Sequence, residues 1–215
     1  MSLILQTAKI SLGVQLATGV VTFVGFFLPD PSGYEHADDV RTILGIEGVS
    51  QLIEFAYYAT VVFYLKRELS TWTRYIDWFL STPVMLVSTA MFFVHRDDGG
   101  DVMGVFERPN TAVVLTLNAS MLSVGFVMEL GALDRTAGVG IGSVLLIATF
   151  AALSRDLRRD DSMSVSIFFL MLFVWFAYGL AALFSYVPRN VGYNLLDLVS
   201  KNFYGLFLFV YFVTR

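Results

Sequence analysis

Leu195-Leu196-Asp197-Leu198-Val199-Ser200-Lys201-Asn202-Phe203-Tyr204-Gly205 places a lysine inside an apolar run of membrane-spanning character. An ionisable group at bilayer depth is costly and marks a functional site by default. Asp197 and Lys201 are four residues apart, so carboxylate and amine share one helix face. A second acid, Asp77, lies in another apolar run, Arg74-Tyr75-Ile76-Asp77-Trp78-Phe79-Leu80-Ser81-Thr82-Pro83. A buried amine near two buried carboxylates is either a plain ion pair or the attachment point of a carbonyl cofactor.

Working outward, the 215 residues are 56% hydrophobic, with a mean hydropathy of +0.69. That is too apolar for an ordinary soluble domain. A bilayer core needs about 20 apolar residues per helix. Seven segments meet this, roughly 3–28, 48–65, 71–94, 111–131, 136–153, 164–186 and 192–214. They predict an all-α membrane protein, a seven-transmembrane-helix bundle forming a single domain over residues 1–215. The runs are continuous rather than alternating, which argues against a β-barrel. The first run carries only Lys9 and no small-residue cleavage site, so it reads as a helix and not as a removed leader.

Polar breaks separate the segments: 29–47 with Pro29, Asp30, Pro31, Gly33, Glu35, Asp38, Asp39 and Arg41; 95–110; 155–161; and the short runs 66–68, 133–135 and 187–190. His36 and His95 fall in these predicted loops. Net charge is −4, with no basic face for nucleic acid and no cysteine. Arg41, Arg96, Arg108, Arg155, Arg158, Arg159 and Arg215 collect on one side; Lys9, Lys66, Arg67, Arg135 and Arg189 collect on the other. The bias favours an outside N-terminus and an inside C-terminus.

Arg74, Asp77, Ser81, Met85 and Ser88 recur at helical spacing and share one face of the third segment. Four ionisable groups in two spans are hard to explain as interhelical glue. Arg74-Tyr75-Ile76-Asp77-Trp78-x-x-Ser81-Thr82-Pro83 and Asp197-x-x-x-Lys201 resemble the third- and seventh-helix signatures of microbial (type 1) rhodopsins. Trp175-Phe176-Ala177-Tyr178 is similar to that family's sixth-helix aromatic pair. The resemblance implies all-trans retinal on Lys201 as a protonated Schiff base, with Asp77 and Asp197 as counterions and Arg74 balancing charge. It implies a pocket of Trp78, Thr82, Met85, Met121, Gly125, Trp175 and Tyr178, with Asn118 beside its ring end. A cation in a low-dielectric site needs such negative charge nearby, and flat aromatic rings suit a polyene. The chain departs from the pumping relatives at Gly179 (often proline), Ala182 (a second tryptophan), Ser88 (the carboxylic proton donor) and Arg189 (an acid). With serine at 88, no internal proton donor is expected.

Glu47, Gln51, Glu54 and Tyr58 form one polar face of the second segment. Ser11, Glu54 and Asn202 resemble the central gate of channelrhodopsins. The phrase Gln51-Leu52-Ile53-Glu54-Phe55-x-Tyr57, with 74–83 and 118–131, is most similar to the viral rhodopsins of giant viruses. Ser11, Glu47, Glu54, Ser81, Ser88 and Asn202 are thus the expected ion path, because acidic side chains in a pore attract cations. The expected function is a light-gated cation channel, with a light-driven outward proton pump or a photosensor without flux as alternatives. The expected partners are the lipid bilayer and monovalent cations or protons, with self-association left open. No nucleophile–base set and no metal-ligand spacing appear, which argues against an enzyme.

Overall fold

The computed structural model describes residues 2–28, 36–65, 70–97 and 101–214. The chain folds into seven spans, and no strand occurs among the described residues. They are α1 (Leu3–Phe27), α2 (Ala37–Thr60, continued by a π-helical turn, Val61–Leu65), α3 (Arg74–Arg96), α4 (Pro109–Glu129), α5 (Arg135–Leu153) and α6 (Ser162–Ala182). The seventh span joins α7 (Tyr186–Asp197), a π-helical turn (Leu198–Phe203) and α8 (Tyr204–Val213). α4 packs along α5, α2 lies between α1 and α3, and the seventh span closes the ring against α1 and α6.

The bundle is built inside out. On α1 the buried positions include Ser11, Gln15, Thr18 and Thr22, while Leu3, Ile10, Leu16, Phe23 and Phe27 face outward. A solvent of hydrocarbon rewards this arrangement, because polar groups must be satisfied inside the protein. Lipid-side hydroxyls follow the same rule locally. Thr116, Ser120 and Ser123 each donate to the carbonyl four residues back, at 2.8 Å. Helix starts are capped by Ser2, Asp134 and Asp161, whose side chains accept from Leu5, Ala137 and Ser164 backbone N–H groups, which satisfies orphan donors. α4 begins on Pro109 and ends before Gly131, whose φ of +78° lets Ala132 N–H reach back to the Val127 carbonyl.

The structure moves three predicted boundaries. The second span starts at Ala37, not 48. Among the described residues six helices are long and apolar enough to cross a membrane, and α2 is not among them; it is long enough but carries Asp38, Asp39, Arg41, Glu47 and Glu54. Its inward polar face lowers its mean hydropathy, and Asp38 and Asp39 suit the positive end of the helix dipole. The seventh span starts at Tyr186, not 192. Pro188 lies in its first turn, where a missing N–H costs nothing, and Asn190 is fully buried. The sixth span stops at Ala182, four residues before the expected end. His95 is not in a loop; it closes the last turn of α3 and is buried. Residues 29–35, 66–68 and 98–100 of the predicted breaks, with Arg215, lie outside the described residues.

Gly131 adopts a left-handed conformation that costs a residue with a Cβ about 1 kcal/mol or more. Gly131→Ala should lower the stability of the detergent-solubilised protein by about that amount, read as a lower midpoint in thermal unfolding.

Candidate functional site

The π-helical turn that interrupts the seventh span contains Lys201 and Ser200. Such turns add a residue to the helix and re-aim its side chains. Lys201 is 2% exposed. Its Nζ lies 3.0 Å from Asp77 Oδ2, 3.5 Å from Glu54 Oε1 and 4.0 Å from Asp197 Oδ1. Three carboxyls therefore surround the amine, and the sequence reading named Glu54 only for the ion path.

The acids are held differently. Asp197 accepts hydrogen bonds from Tyr58 Oη and Tyr178 Oη, both at 2.6 Å, and faces Arg74 at 3.4 Å. Arg74 is tied further to Asn190 and Asn194 and lies under the rings of Tyr57, Tyr58 and Tyr193. Asp77 accepts from Lys201 through Oδ2, while its Oδ1 has no hydrogen-bond partner among the described residues. Neither oxygen of Glu54 has one. Counting formal charges, three carboxylates face two cations, so one shared proton balances the cluster. Tyr58, Asn190 and Asn194 were not singled out as counterion partners. The signal was present, since 190, 194, 197 and 201 recur at spacings of 4, 3 and 4.

On the other side of Lys201 opens an apolar cavity of about 120 Å³. Trp78, Thr82, Met85, Met121, Gly125, Trp175, Tyr178 and Lys201, the eight residues expected around a chromophore, all line it. Trp78 meets Tyr178 and Tyr193 edge-on at 5.5 and 5.1 Å, and Tyr178 stacks on Tyr193 at 5.8 Å. Tyr193 supplies an aromatic wall beside Ala182, where the resemblance has a second tryptophan; sequence reasoning missed it. Asn118 does not line the cavity. It donates to Thr82 Oγ1 at 2.9 Å and so orients a residue that does. Gly125 leaves room for an aromatic ring, since a Cβ there would meet Tyr75 Oη at 2.5 Å and its Cε1 at 2.8 Å.

The expected ion-path residues are all buried, but they do not form one contact set. Ser11 does not reach Asn202; it donates to the Asn194 carbonyl at 3.0 Å. Asn202 instead donates to Thr18 Oγ1 at 2.8 Å and Gln15 Oε1 at 3.2 Å. The reason is register: α1 and the seventh span run parallel, so Ser11 pairs two turns short of Asn202. Ser81 accepts through its carbonyl from Ser50 Oγ at 3.4 Å. Ser88 donates to Glu47 Oε2 at 2.9 Å. α3 itself carries no carboxyl at this level, as the sequence indicates. α2 supplies from across the bundle the acid that α3 lacks.

The family model described as "Bacteriorhodopsin-like protein" matches residues 6–215. The chain belongs to this family of retinal-binding membrane proteins, whose members carry out light-driven ion transport or photoreception. It is thus a multi-pass integral membrane protein. Among solved structures, viral rhodopsin OLPVRII superposes with a TM-score of 0.89 at 24% identity, over 99% of each chain. Blue light-absorbing proteorhodopsin from Med12 gives 0.77 at 18%, over 98% of this chain and 97% of that one. Exiguobacterium sibiricum rhodopsin gives 0.74 at 16%, over 100% and 98%. At these identities the likeness is one of fold. No curated protein matches the chain.

The cavity makes a direct test of its lining. Gly125→Val should force the Tyr75 ring into the cavity. Coloured protein formed at saturating retinal should fall severalfold, measured by visible absorbance per mole of purified chain; an undiminished yield would show that this wall does not bound the chromophore.

Proposed function

We propose that Lys201 carries retinal as a Schiff base and that light-driven change at its nitrogen opens a cation path among α1, α2, α3 and the seventh span. The residues present fit the group: an aromatic, apolar cavity ends at a buried amine, and carboxyls stand ready around that amine. Bound through Lys201, retinal would supply absorption of visible light and an isomerisation that changes the orientation and proton affinity of the Lys201 nitrogen. The protein does the rest. Asp77 Oδ2, at 3.0 Å, is placed to take a proton from the Lys201 nitrogen. Asp197, supported by two tyrosines and Arg74, is built to remain an anion.

One observation carries the channel reading. Glu54 lies 3.5 Å from Lys201 Nζ and also beside Gln15, the residue that bonds Asn202. A charge change at Lys201 is therefore felt directly at the junction of α1, α2 and the seventh span. Glu54, Gln51, the Gln15 amide nitrogen, Thr22 Oγ1 and Asn202 Oδ1 have no hydrogen-bond partner among the described residues. Buried polar groups without partners favour hydration, and a hydrated acidic path conducts cations. The arginines of the C-terminal end support an outside N-terminus.

A specific observation favours a second reading, a light-driven outward proton pump. The buried Ser88–Glu47 pair provides a carboxyl between Lys201 and the C-terminal end, fit to return a proton. Glu47 lies about 10.5 Å along α2 from Glu54, at about 1.5 Å per residue.

Two measurements test these readings. Purified Lys201→Ala should stay colourless with all-trans retinal, and a normal visible band would overturn the attachment. Whole-cell recordings under light should show a current that reverses with the cation gradient and that Glu54→Gln reduces severalfold. A current that stays outward at every voltage, is untouched by Glu54→Gln and is slowed in its recovery by Glu47→Gln would establish the pump instead.

A further inference from the structure

The end of the bundle where α2 begins and α3 ends carries a second cluster of titratable groups. Asp39 Oδ2 lies 3.5 Å from His36 Nδ1 and 3.6 Å from His95 Nδ1. The Tyr211 hydroxyl lies 3.3 Å from His95 Nε2. Side-chain exposure falls from 41% at His36 to 28% at Asp39 and 3% at His95. The three groups thus form a graded ladder from solvent into the protein. His95 is faced by Asp39 and His36 from α2, by Tyr211 from α8, and by its neighbour Arg96. Arg96 grips Asp161 at the start of α6 through two hydrogen bonds of 2.9 and 2.5 Å and also donates to the Tyr211 hydroxyl at 3.3 Å. That guanidinium holds the Asp161 carboxyl well below the usual carboxylate range, so this pair stays ionised near neutral pH.

Two turns deeper on the same helices lie Glu47 and Ser88. The rise is about 12 Å from Asp39 to Glu47 and about 10.5 Å from His95 to Ser88, at about 1.5 Å per residue. Ile43, Leu44, Met91 and Leu208, all without exposed surface, occupy the levels between. Solvent therefore reaches the ladder but not the Glu47 carboxyl.

We propose that the Asp39–His95 pair, fed from His36, is the port at which a proton enters from solvent to reload Glu47. The proposal rests on the reading of Glu47 as the group that returns a proton toward Lys201. A proton from water binds the pair and passes inward when the apolar plug hydrates. It ends on the Glu47 carboxylate, which has just given its own proton up. One proton enters per cycle, and no electron moves. Imidazole suits this step because its charge changes nearest to neutral pH.

The test uses the full chain with retinal in lipid vesicles, a pH-indicator dye in the bulk, and a flash. His95→Gln and Asp39→Asn should each slow proton uptake by about a hundredfold, the lower end of what a positioned acid–base group contributes. Free imidazole in the buffer should restore the rate in His95→Gln, which a merely structural role would not allow. Uptake at the wild-type rate in both variants from pH 5 to 9 would overturn the port. A second measurement needs no retinal: the nuclear magnetic resonance titration of the His95 imidazole should move its midpoint in Asp39→Asn. An unmoved midpoint would overturn the pair as a proton-sharing unit. Normal recovery in Glu47→Gln would instead overturn the underlying role of Glu47, with the titration still deciding the pair.

Discussion

A positive charge placed where water cannot reach it is the constraint from which this structure follows. Removing an ion from water costs several kcal/mol even after the protein relaxes. Lys201 meets that cost with three carboxyls from α2, α3 and the seventh span. Those carboxyls create a second requirement, because together they outnumber the amine. Arg74 answers it from α3, and is itself held by Asn190, Asn194 and three aromatic rings. Much of the polar face of α2 and the seventh span exists to support this one cluster. The apolar outer faces then follow from the bilayer.

The three carboxyls are not equivalent, and the difference is geometric. Asp197 is saturated by two tyrosine hydroxyls and a guanidinium, so its charge is supported whether or not the amine keeps its proton. Asp77 has one oxygen on Lys201 and one without a partner among the described residues. Losing the proton from Lys201 would remove the main support of Asp77 and leave Asp197 nearly unaffected. On the proposed function, this asymmetry favours Asp77 as the destination of a proton leaving the amine. Glu54 has no hydrogen-bond partner of its own among the described residues, and it bridges the cluster to Gln15 and Asn202. Asp197 also connects to α1, through Tyr58 and Asn194, which donates to Thr7 Oγ1.

Much of this was legible in the sequence because ionisable residues at bilayer depth stand out against an apolar background. Lys201, Asp197, Asp77 and Arg74 announced themselves that way, and the lining of the cavity followed from the resemblance they carried. The start of α2 was not legible. Hydropathy averages over all faces of a helix, and a helix with an acidic inner face averages like a loop. The Ser88–Glu47 pair was not legible either, since nothing in the spacing along α3 or α2 says which residues meet across the bundle. The partner of Ser11 was not legible for a related reason: the register between α1 and the seventh span decides it. Within that span, by contrast, the ladder of Asn190, Asn194, Asp197 and Lys201 was written in plain helical periodicity.

The two halves of the bundle on either side of Lys201 also differ in kind. Toward the N-terminal end the polar groups form a closed hydrogen-bonded network of Arg74, Tyr58, Asn190, Asn194 and Ser11. Toward the C-terminal end the polar atoms of Gln51, Thr22, Glu47 and Tyr204 include several without a protein partner, and an apolar plug of Ile43, Leu44, Met91 and Leu208 follows. An unpartnered buried polar group costs about 1–3 kcal/mol, so hydration is worth more in this half than in the other. Breaking the N-terminal network means losing charge-assisted bonds, which are about twice as strong as neutral ones. The easier rearrangement after a charge change at Lys201 is thus wetting of the C-terminal half. For the proposed ion movement, the resistance is set by that apolar plug rather than by the cluster around Lys201.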